Sequence, residues 1–337
     1  MNDSTPTPDL FFDLALSFER TAALKAAVEL ELFTAIGEGA TTVDALAKRA
    51  AASERGVRIL CDFLTINGLL AKEGHNYRLT PVSATFLAKS SPAYLGGVLA
   101  FLASPDIVRN FDRLAETVRR GTVSQDGNTV AGEEQELWVN FAKAMVPMMM
   151  PAAMGIADVL QVASAGPLRV LDVAAGHGMF GITIAGRNAR AEVTAVDWAG
   201  VLAVALQNAG RTGVESRYRL LPGDAFKVDY GDGYDLALLT NFLHHFDPPT
   251  CTNLLRKVGR ALKPGGRVAI LEFVPNDDRV SPPMPAAFSL MMLAGTPAGD
   301  AYTFADLRSM VEAAGFDAVA AHPLVPTPQT LVVAARR

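Results

Sequence analysis

The chain has 337 residues, 50% of them apolar, with a formal net charge of −5. That is enough apolar sequence for two domains with separate cores, and it excludes a disordered tail. With 30 Lys and Arg against 35 Asp and Glu, no surplus of cations is left to neutralise a phosphate backbone, so a small or neutral partner is expected rather than nucleic acid or an anionic membrane.

The N-terminal stretch MNDSTPTPDLFF has neither the basic segment nor the apolar run of a signal peptide. The most apolar window, YLGGVLAFLA, is too short to span a bilayer. Cys61 and Cys251 lie far apart and lack metal-ligand spacing, which fits two core thiols in a reducing compartment. The expected location is cytoplasmic.

In chain order, the first elements are helical. RTAALKAAVELELFTAI sets Ala23, Ala26, Ala27, Leu30 and Phe33 on one face of a single helix. TTVDALAKRA offers a Thr cap before a short amphipathic helix, and SERGVRILCDFLTINGL starts at a Ser53 cap and stops at Gly68. LLAKEGHNYRLT then reads as two short strands around a Glu73-Gly74 turn. Three helices and a hairpin are a winged-helix arrangement. From about residue 92 to 160 the chain continues as helices, with breaks expected at Pro105, at GTVSQDGNTVAGEE, and at Pro147 and Pro151.

After ASAGP the rhythm becomes strand, glycine turn, helix. Strands are expected at 168–174, 191–197, 216–223, 234–240 and 267–274, with helical segments between them, which makes a parallel sheet covered on both faces. The last two strands, DAVAAHPL and TLVVAAR, are separated only by VPTPQ. So short a connection cannot make a parallel crossover, and the pair should be an antiparallel hairpin. The fold class is α/β: a doubly wound seven-stranded sheet with a C-terminal antiparallel hairpin, preceded by a mainly helical domain. The expected parts are residues 1–100, a helical linker at 101–164, and 165–337.

The stretch VLDVAAGHGMFG raises the question of a ligand. Gly176, Gly178 and Gly181 satisfy the G-x-G-x-x-G spacing of a dinucleotide fold, and Asp197 follows roughly twenty residues on. Asp172, however, lies inside the preceding strand, where a carboxylate could turn toward an amino-bearing or cationic ligand at the strand's C-terminal edge. S-adenosylmethionine has such groups, an ammonium and a sulfonium, and no pyrophosphate. VLDVAAGHG, AVDW, GDAF and LKPGGRVAILE, in this order and spacing, resemble the class I S-adenosylmethionine-dependent methyltransferases. With the front half included, the chain resembles the dimeric small-molecule O-methyltransferases of the hydroxyindole and caffeate type, with a Rossmann-like catalytic domain and a winged-helix dimerisation domain.

The resemblance implies a set of site residues. The glycine loop, here Gly176 and Gly178, would pack under the cofactor's amino-acid part; Ala174 replaces the usual first glycine, so the loop there should be looser or differently shaped. Asp197 would accept the ribose hydroxyls and Trp198 would stack on adenine. Asp224, Ala225 and Phe226 fall on the adenine-binding positions, with Asp224 alternatively a turn cap, and Asn241 joins the cofactor set. His244 aligns with the general base and Glu272 with the carboxylate that orients it, whereas His245 departs from the family's aspartate and reads as structural. Ala301 stands at the second acidic partner's position, beside Asp300, and that role is not carried over. Met145, Met149, Phe288, Met291 and Met292 would grip a flat aromatic acceptor, although ordinary helix core accounts for any one of these methionines. Residues 275–278, PNDD, read as a solvated turn, and no metal is expected.

The implied reaction is methyl transfer to a hydroxyl of a small, aromatic metabolite, in a homodimer joined through residues from about 10 to 100. Alternatives on the same fold are a carbon or nitrogen acceptor, or a relative that no longer methylates. A DNA-binding regulator is the reading from another class. Its recognition helix would hold Arg55 and Arg58 on an otherwise apolar surface, which suits burial better than a major groove.

Overall fold

Capped helices separated by tight turns build the N-terminal part of the chain. The structure is a computed structural model that describes residues 6–130 and 136–337. The chain divides into two units, Met1–Ala103 and Ser104–Arg337.

In the first unit the helices Val43–Arg49 and Glu54–Ile66 start where the capping pattern places them, with the Thr42 and Ser53 hydroxyls accepting the amides of Ala45 and Gly56. The strands β1 (Leu70–Glu73) and β2 (Asn76–Leu79) pair antiparallel. The expected single helix over 20–36 is instead two, Ser17–Glu29 and Leu32–Gly37, because Glu31 adopts a left-handed φ of 53°. Packing explains the break. A continuous helix would spread Leu32, Phe33, Ala35 and Ile36 over more than one face, whereas the restart buries all four with Leu46, Leu64 and Tyr77. The helix Asp9–Ala15 has no buried residue, and Leu10, Phe11, Phe12, Leu14 and Phe18 are each more than half exposed.

The second unit begins with Pro105–Asp112 and Leu114–Arg120, followed by Glu136–Ala144 and Val146–Val159. Pro105 and Pro147 open helices, since a first-turn residue has no intrahelical N–H bond to lose. Pro151 does not end its helix, contrary to expectation. The carbonyl it leaves without a donor is that of Pro147, an exposed residue in the first turn that water can reach. Part of the expected break at 121–134 falls outside the described residues.

Seven strands follow: β3 (Leu168–Val173), β4 (Ala191–Asp197), β5 (Tyr218–Pro222), β6 (Tyr234–Thr240), β7 (Leu262–Glu272), β8 (Phe316–Pro323) and β9 (Thr330–Arg336). Their order is β5-β4-β3-β6-β7-β9-β8; β3 to β7 run parallel, while β9 is antiparallel to both β7 and β8. The chain thus steps outward from β3 to β5 and returns to place β6 on the other side of β3. That reversal opens a crevice beyond the C-terminal ends of β3 and β6, where a ligand of an open α/β sheet is held. Among the described residues no helix is long and apolar enough to cross a membrane.

Candidate active site

The loop after β3 turns back on itself through residues in the left-handed region: Ala174 (φ 56°), Gly176 (φ 57°) and Gly178 (φ 77°). Ala174 therefore adopts a conformation that favours glycine, at the steric cost of its Cβ. Gly178 is required for space as well, because a Cβ there would lie 2.7 Å from the Tyr218 hydroxyl and 2.9 Å from Ala205 Cβ. Asp197, at the end of β4, props the loop: one carboxylate oxygen accepts the Gly176 amide at 2.8 Å and the other the Trp198 amide at 2.7 Å. Trp198 is half-buried and packs with Trp138 and Val139 on Ala142, Val201 and Val204.

Asp172 has no exposed surface and lies beneath the loop, where Oδ2 accepts the Gly181 amide at 3.1 Å and Oδ1 has no hydrogen-bond partner among the described residues. Gly181 makes room for that carboxyl: a Cβ would stand 2.7 Å from Oδ2. Burial pushes the Asp172 pKa up to about 7, with the nearby Asp197 charge adding to the rise and the Gly181 amide opposing it.

Asp224 is partly buried and caps a turn, accepting the Phe226 amide at 2.8 Å and pairing with the exposed Lys227 at 3.1 Å. Ala225 is buried and its carbonyl accepts from Lys257 Nζ at 2.8 Å. The Phe226 ring stands edge-on to Phe246, centroids 4.9 Å apart. Asn241, leaving β6 with φ 55°, accepts from Gln329 Nε2 and directs its own Nδ2 toward Met149 Sδ at 3.6 Å.

Beyond Asn241 the chain makes a single 3₁₀ turn, Leu243–His245. Glu272, the last residue of the adjacent strand β7, lies under it with 1% exposure. Its Oε1 accepts the amides of Phe242 (3.1 Å), Leu243 (2.9 Å) and His244 (3.4 Å), and its Oε2 meets His244 Nδ1 at 2.5 Å. A carboxylate beside Nδ1 places the imidazole proton on that nitrogen and leaves the Nε2 lone pair as the basic position. Phe288 stands edge-on to His244, 4.9 Å between centroids, and stacks on Phe273 at 4.2 Å. Met149, Met145 and Met292 are buried and Met291 is half-buried; the structure brings Phe288 to the imidazole and Met149 to Asn241.

His245 is buried against Trp138, Phe242 and Phe246, and its Nδ1 has no hydrogen-bond partner among the described residues. Burial drives its pKa well below the ordinary imidazole value, and the adjacent His244 adds to this. Ala301 is fully buried, and Asp300 is drawn to Arg279 at 3.0 Å, which also binds Asp306 at 2.7 Å. In PNDD, Asp278 accepts the amides of Val280 and Ser281, both at 2.9 Å.

Three residues of this region escaped the sequence reading. His177, inside the glycine loop, is buried between Phe141 and Phe180, accepts the Met179 amide at 3.1 Å, and has its pKa lowered to about 4 by burial. Trp138 and Phe141, one turn apart on Glu136–Ala144, touch His245 and His177 respectively, so one helix covers both turns. Their i, i+3 aromatic spacing was the available signal.

The sequence and fold are matched by known proteins. A family model for the O-methyltransferase domain matches residues 131–317, and one for the O-methyltransferase dimerisation domain matches residues 12–89. The chain is 30% identical over 311 residues to the 3-hydroxy-5-methyl-1-naphthoate 3-O-methyltransferase of Streptomyces sahachiroi, covering 91% of this chain and 89% of that protein. A solved structure of a candidate O-methyltransferase from Nostoc punctiforme superposes with a TM-score of 0.94 at 49% identity, over 99% of this chain and 100% of that one. Human N-acetylserotonin methyltransferase, solved in complex with S-adenosylmethionine, shares the fold at a TM-score of 0.85 and 24% identity, over 100% of this chain and 99% of that one. The chain belongs to the O-methyltransferase family.

Proposed function

We propose that this O-methyltransferase uses S-adenosylmethionine to methylate a hydroxyl of a small aromatic metabolite, with His244 as general base. The observation that carries the reading is the buried His244–Glu272 pair at the C-terminal edge of the sheet, with an aromatic ring, Phe288, set against the imidazole.

The glycine loop fits a cationic cofactor. Its Gly176 amide, which a phosphate would need, is already bonded to the Asp197 carboxylate, so an anionic ligand would meet a negative charge there. Gly176, Gly178, Asp197, Trp198, Asp224, Ala225, Phe226 and Asn241 would hold the cofactor, with the two partly buried carboxylates as acceptors for its hydroxyl and amino groups. Asp172 would act through the loop it supports. When bound, the cofactor supplies an activated methyl group on a positive sulfur.

The chain must then hold the acceptor and take its proton. Glu272 fixes the imidazole orientation and favours the cation that forms when Nε2 accepts the phenol proton. Phe288, Met291, Met292, Met145 and Met149 supply apolar surface for a flat acceptor. A panel of phenols with graded pKa values, assayed with methyl-labelled cofactor, tests the reading. Turnover should be lost on His244→Ala, most severely for the least acidic phenols.

We further propose that residues 1–100 form a dimerisation domain, 101–164 the helical acceptor-side segment and 165–337 the cofactor domain. Leu10, Phe11, Phe12, Leu14 and Phe18 support a homodimer, since so many exposed large apolar side chains in one short segment need a covering surface. Light scattering should give a dimer at micromolar concentration. A monomer with the N-terminal segment intact would contradict it.

A further inference from the structure

The base turn is held by Glu272, and a second segment also packs against it. After the helix Pro283–Gly295 the chain runs through Thr296 to Thr303, and Thr296 is 1% exposed. The Thr296 hydroxyl donates to the Met292 carbonyl at 2.7 Å and accepts the Gly299 amide at 2.9 Å, which tightens the loop. Gly299 is thereby set against the peptide joining His244 and His245. A Cβ built on Gly299 would lie 2.2 Å from the His244 carbonyl oxygen, 2.6 Å from Thr296 Oγ1 and 3.0 Å from the His245 carbonyl carbon. Its φ is not in the left-handed region, so space alone demands glycine here. Two of the three obstructing atoms are backbone and cannot rotate away. Three residues on, the Tyr302 hydroxyl donates to the Phe246 carbonyl, giving the loop a second hold on the far side of the turn.

We infer that Gly299 is a positioning residue for methyl transfer. Its close approach locks the His244–His245 peptide, and so fixes where the His244 imidazole stands relative to the acceptor. The inference rests on His244 being the base. The loop sends no carboxylate to the imidazole, as Ala301 is buried and Asp300 is bound to Arg279; its contribution is contact and one hydrogen bond. Relieving a 2.2 Å contact needs a shift of about 1 Å before ordinary van der Waals separation is restored. A displacement of that size at a reacting group is enough to lower turnover by up to roughly a hundred-fold.

The test is steady-state kinetics on the full-length protein with a weakly acidic phenol. Gly299→Ala should lower kcat by roughly ten- to a hundred-fold, with S-adenosylhomocysteine affinity by calorimetry unchanged and the melting transition still cooperative. Gly295→Ala is the control, since a Cβ there meets only Thr129 side-chain atoms at 3.5 and 3.6 Å, and it should keep normal kcat. Tyr302→Phe, which keeps the ring and removes the hold on Phe246, should lower kcat in the same direction by a smaller factor, and this variant decides the matter if Gly299→Ala fails to fold. Combining Gly299→Ala with His244→Ala separates this inference from the base assignment. If Gly299 acts through His244, the double variant should be no slower than His244→Ala alone. An equal further loss in that background, or normal kcat in both Gly299→Ala and Tyr302→Phe, would overturn the inference. Full activity of His244→Ala alone would instead overturn the base assignment.

Discussion

Two turns stand at the C-terminal ends of neighbouring strands, the glycine loop after β3 and the base turn after β6, and each is propped by a carboxylate that closes the next strand outward. Asp197 of β4 serves the first and Glu272 of β7 the second. Each turn also holds a non-glycine residue in the left-handed region, Ala174 at 56° and Asn241 at 55°. The difference lies in what the carboxylate is committed to. Asp197 gives one oxygen to each of two amides and stays partly exposed, so it can still receive hydroxyl donors from a ligand. Glu272 has 1% exposure and gives one oxygen to three amides and the other to His244. It can act only through the imidazole. On the proposed function, one device, a carboxylate under a turn, would thus serve binding where it is open and proton transfer where it is closed.

The largest expected effect removes the element that the closed turn positions. His244→Ala should lower turnover on a hydroxyl acceptor by roughly two to four decades and leave S-adenosylhomocysteine affinity nearly intact. The loss should shrink as acceptor pKa falls, because an acidic phenol is already ionised. Near-full activity on a weakly acidic phenol would remove His244 as the base. Glu272→Gln comes next, at about one to three decades. The amide oxygen can still take the three backbone N–H groups, but its NH₂ would face His244 Nδ1 and force the proton onto Nε2, the position needed for accepting one. Retained turnover with a folded protein would show that the tautomer is not set by Glu272.

At the open turn the expected change is in binding. Asp197→Ala should weaken S-adenosylhomocysteine by roughly 1.5 to 3 kcal/mol, the range for hydrogen bonds to a charged group, with kcat at saturating cofactor changed much less. Calorimetry should show no NADH binding to either protein. Unchanged affinity for S-adenosylhomocysteine would exclude Asp197 from the site and break the contrast between the turns.

Much of this was legible in the sequence where local pattern leaves no choice. The bounds of β4, β6 and β9 follow from apolar, β-branched runs between turn residues, and the short link before β9 dictates its antiparallel pairing. The break at Glu31 was not legible, because no glycine or proline marks it and only the core's demand for Leu32 and Phe33 produces it. The His244–Glu272 pair spans 28 positions and forms because β6 and β7 pair in register, Thr240 opposite Leu271; only the family resemblance anticipated it. His177, Gln329 and Gly299 depend on contacts between distant segments, for which a single sequence carries no local signal. Which way Asp172 turns was not legible, because a strand covered on both faces does not reveal the direction of its one carboxylate.

That buried carboxylate gives an expected effect on stability rather than rate. The folded-state pKa of Asp172, about 7, lies above the ~3.9 of an unfolded aspartate. Between those values the folded chain binds the extra proton, so this group lowers stability progressively as pH rises from about 4 to 7, and its full cost is present above that range. His177, whose folded pKa of about 4 lies below the unfolded value, works oppositely: stability rises as pH climbs from about 4 to 6.5. His245 has the same sign. The difference between Asp172→Asn and the parent chain cancels both histidines and isolates the carboxyl. Asparagine keeps an oxygen for the Gly181 amide and never ionises, so its stability relative to the parent should rise by roughly 3 kcal/mol between pH 4.5 and pH 8. Denaturant unfolding at the two pH values reads this directly. A difference independent of pH would mean that Asp172 ionises as freely in the fold as outside it, and that its burial does not set it apart from Asp197.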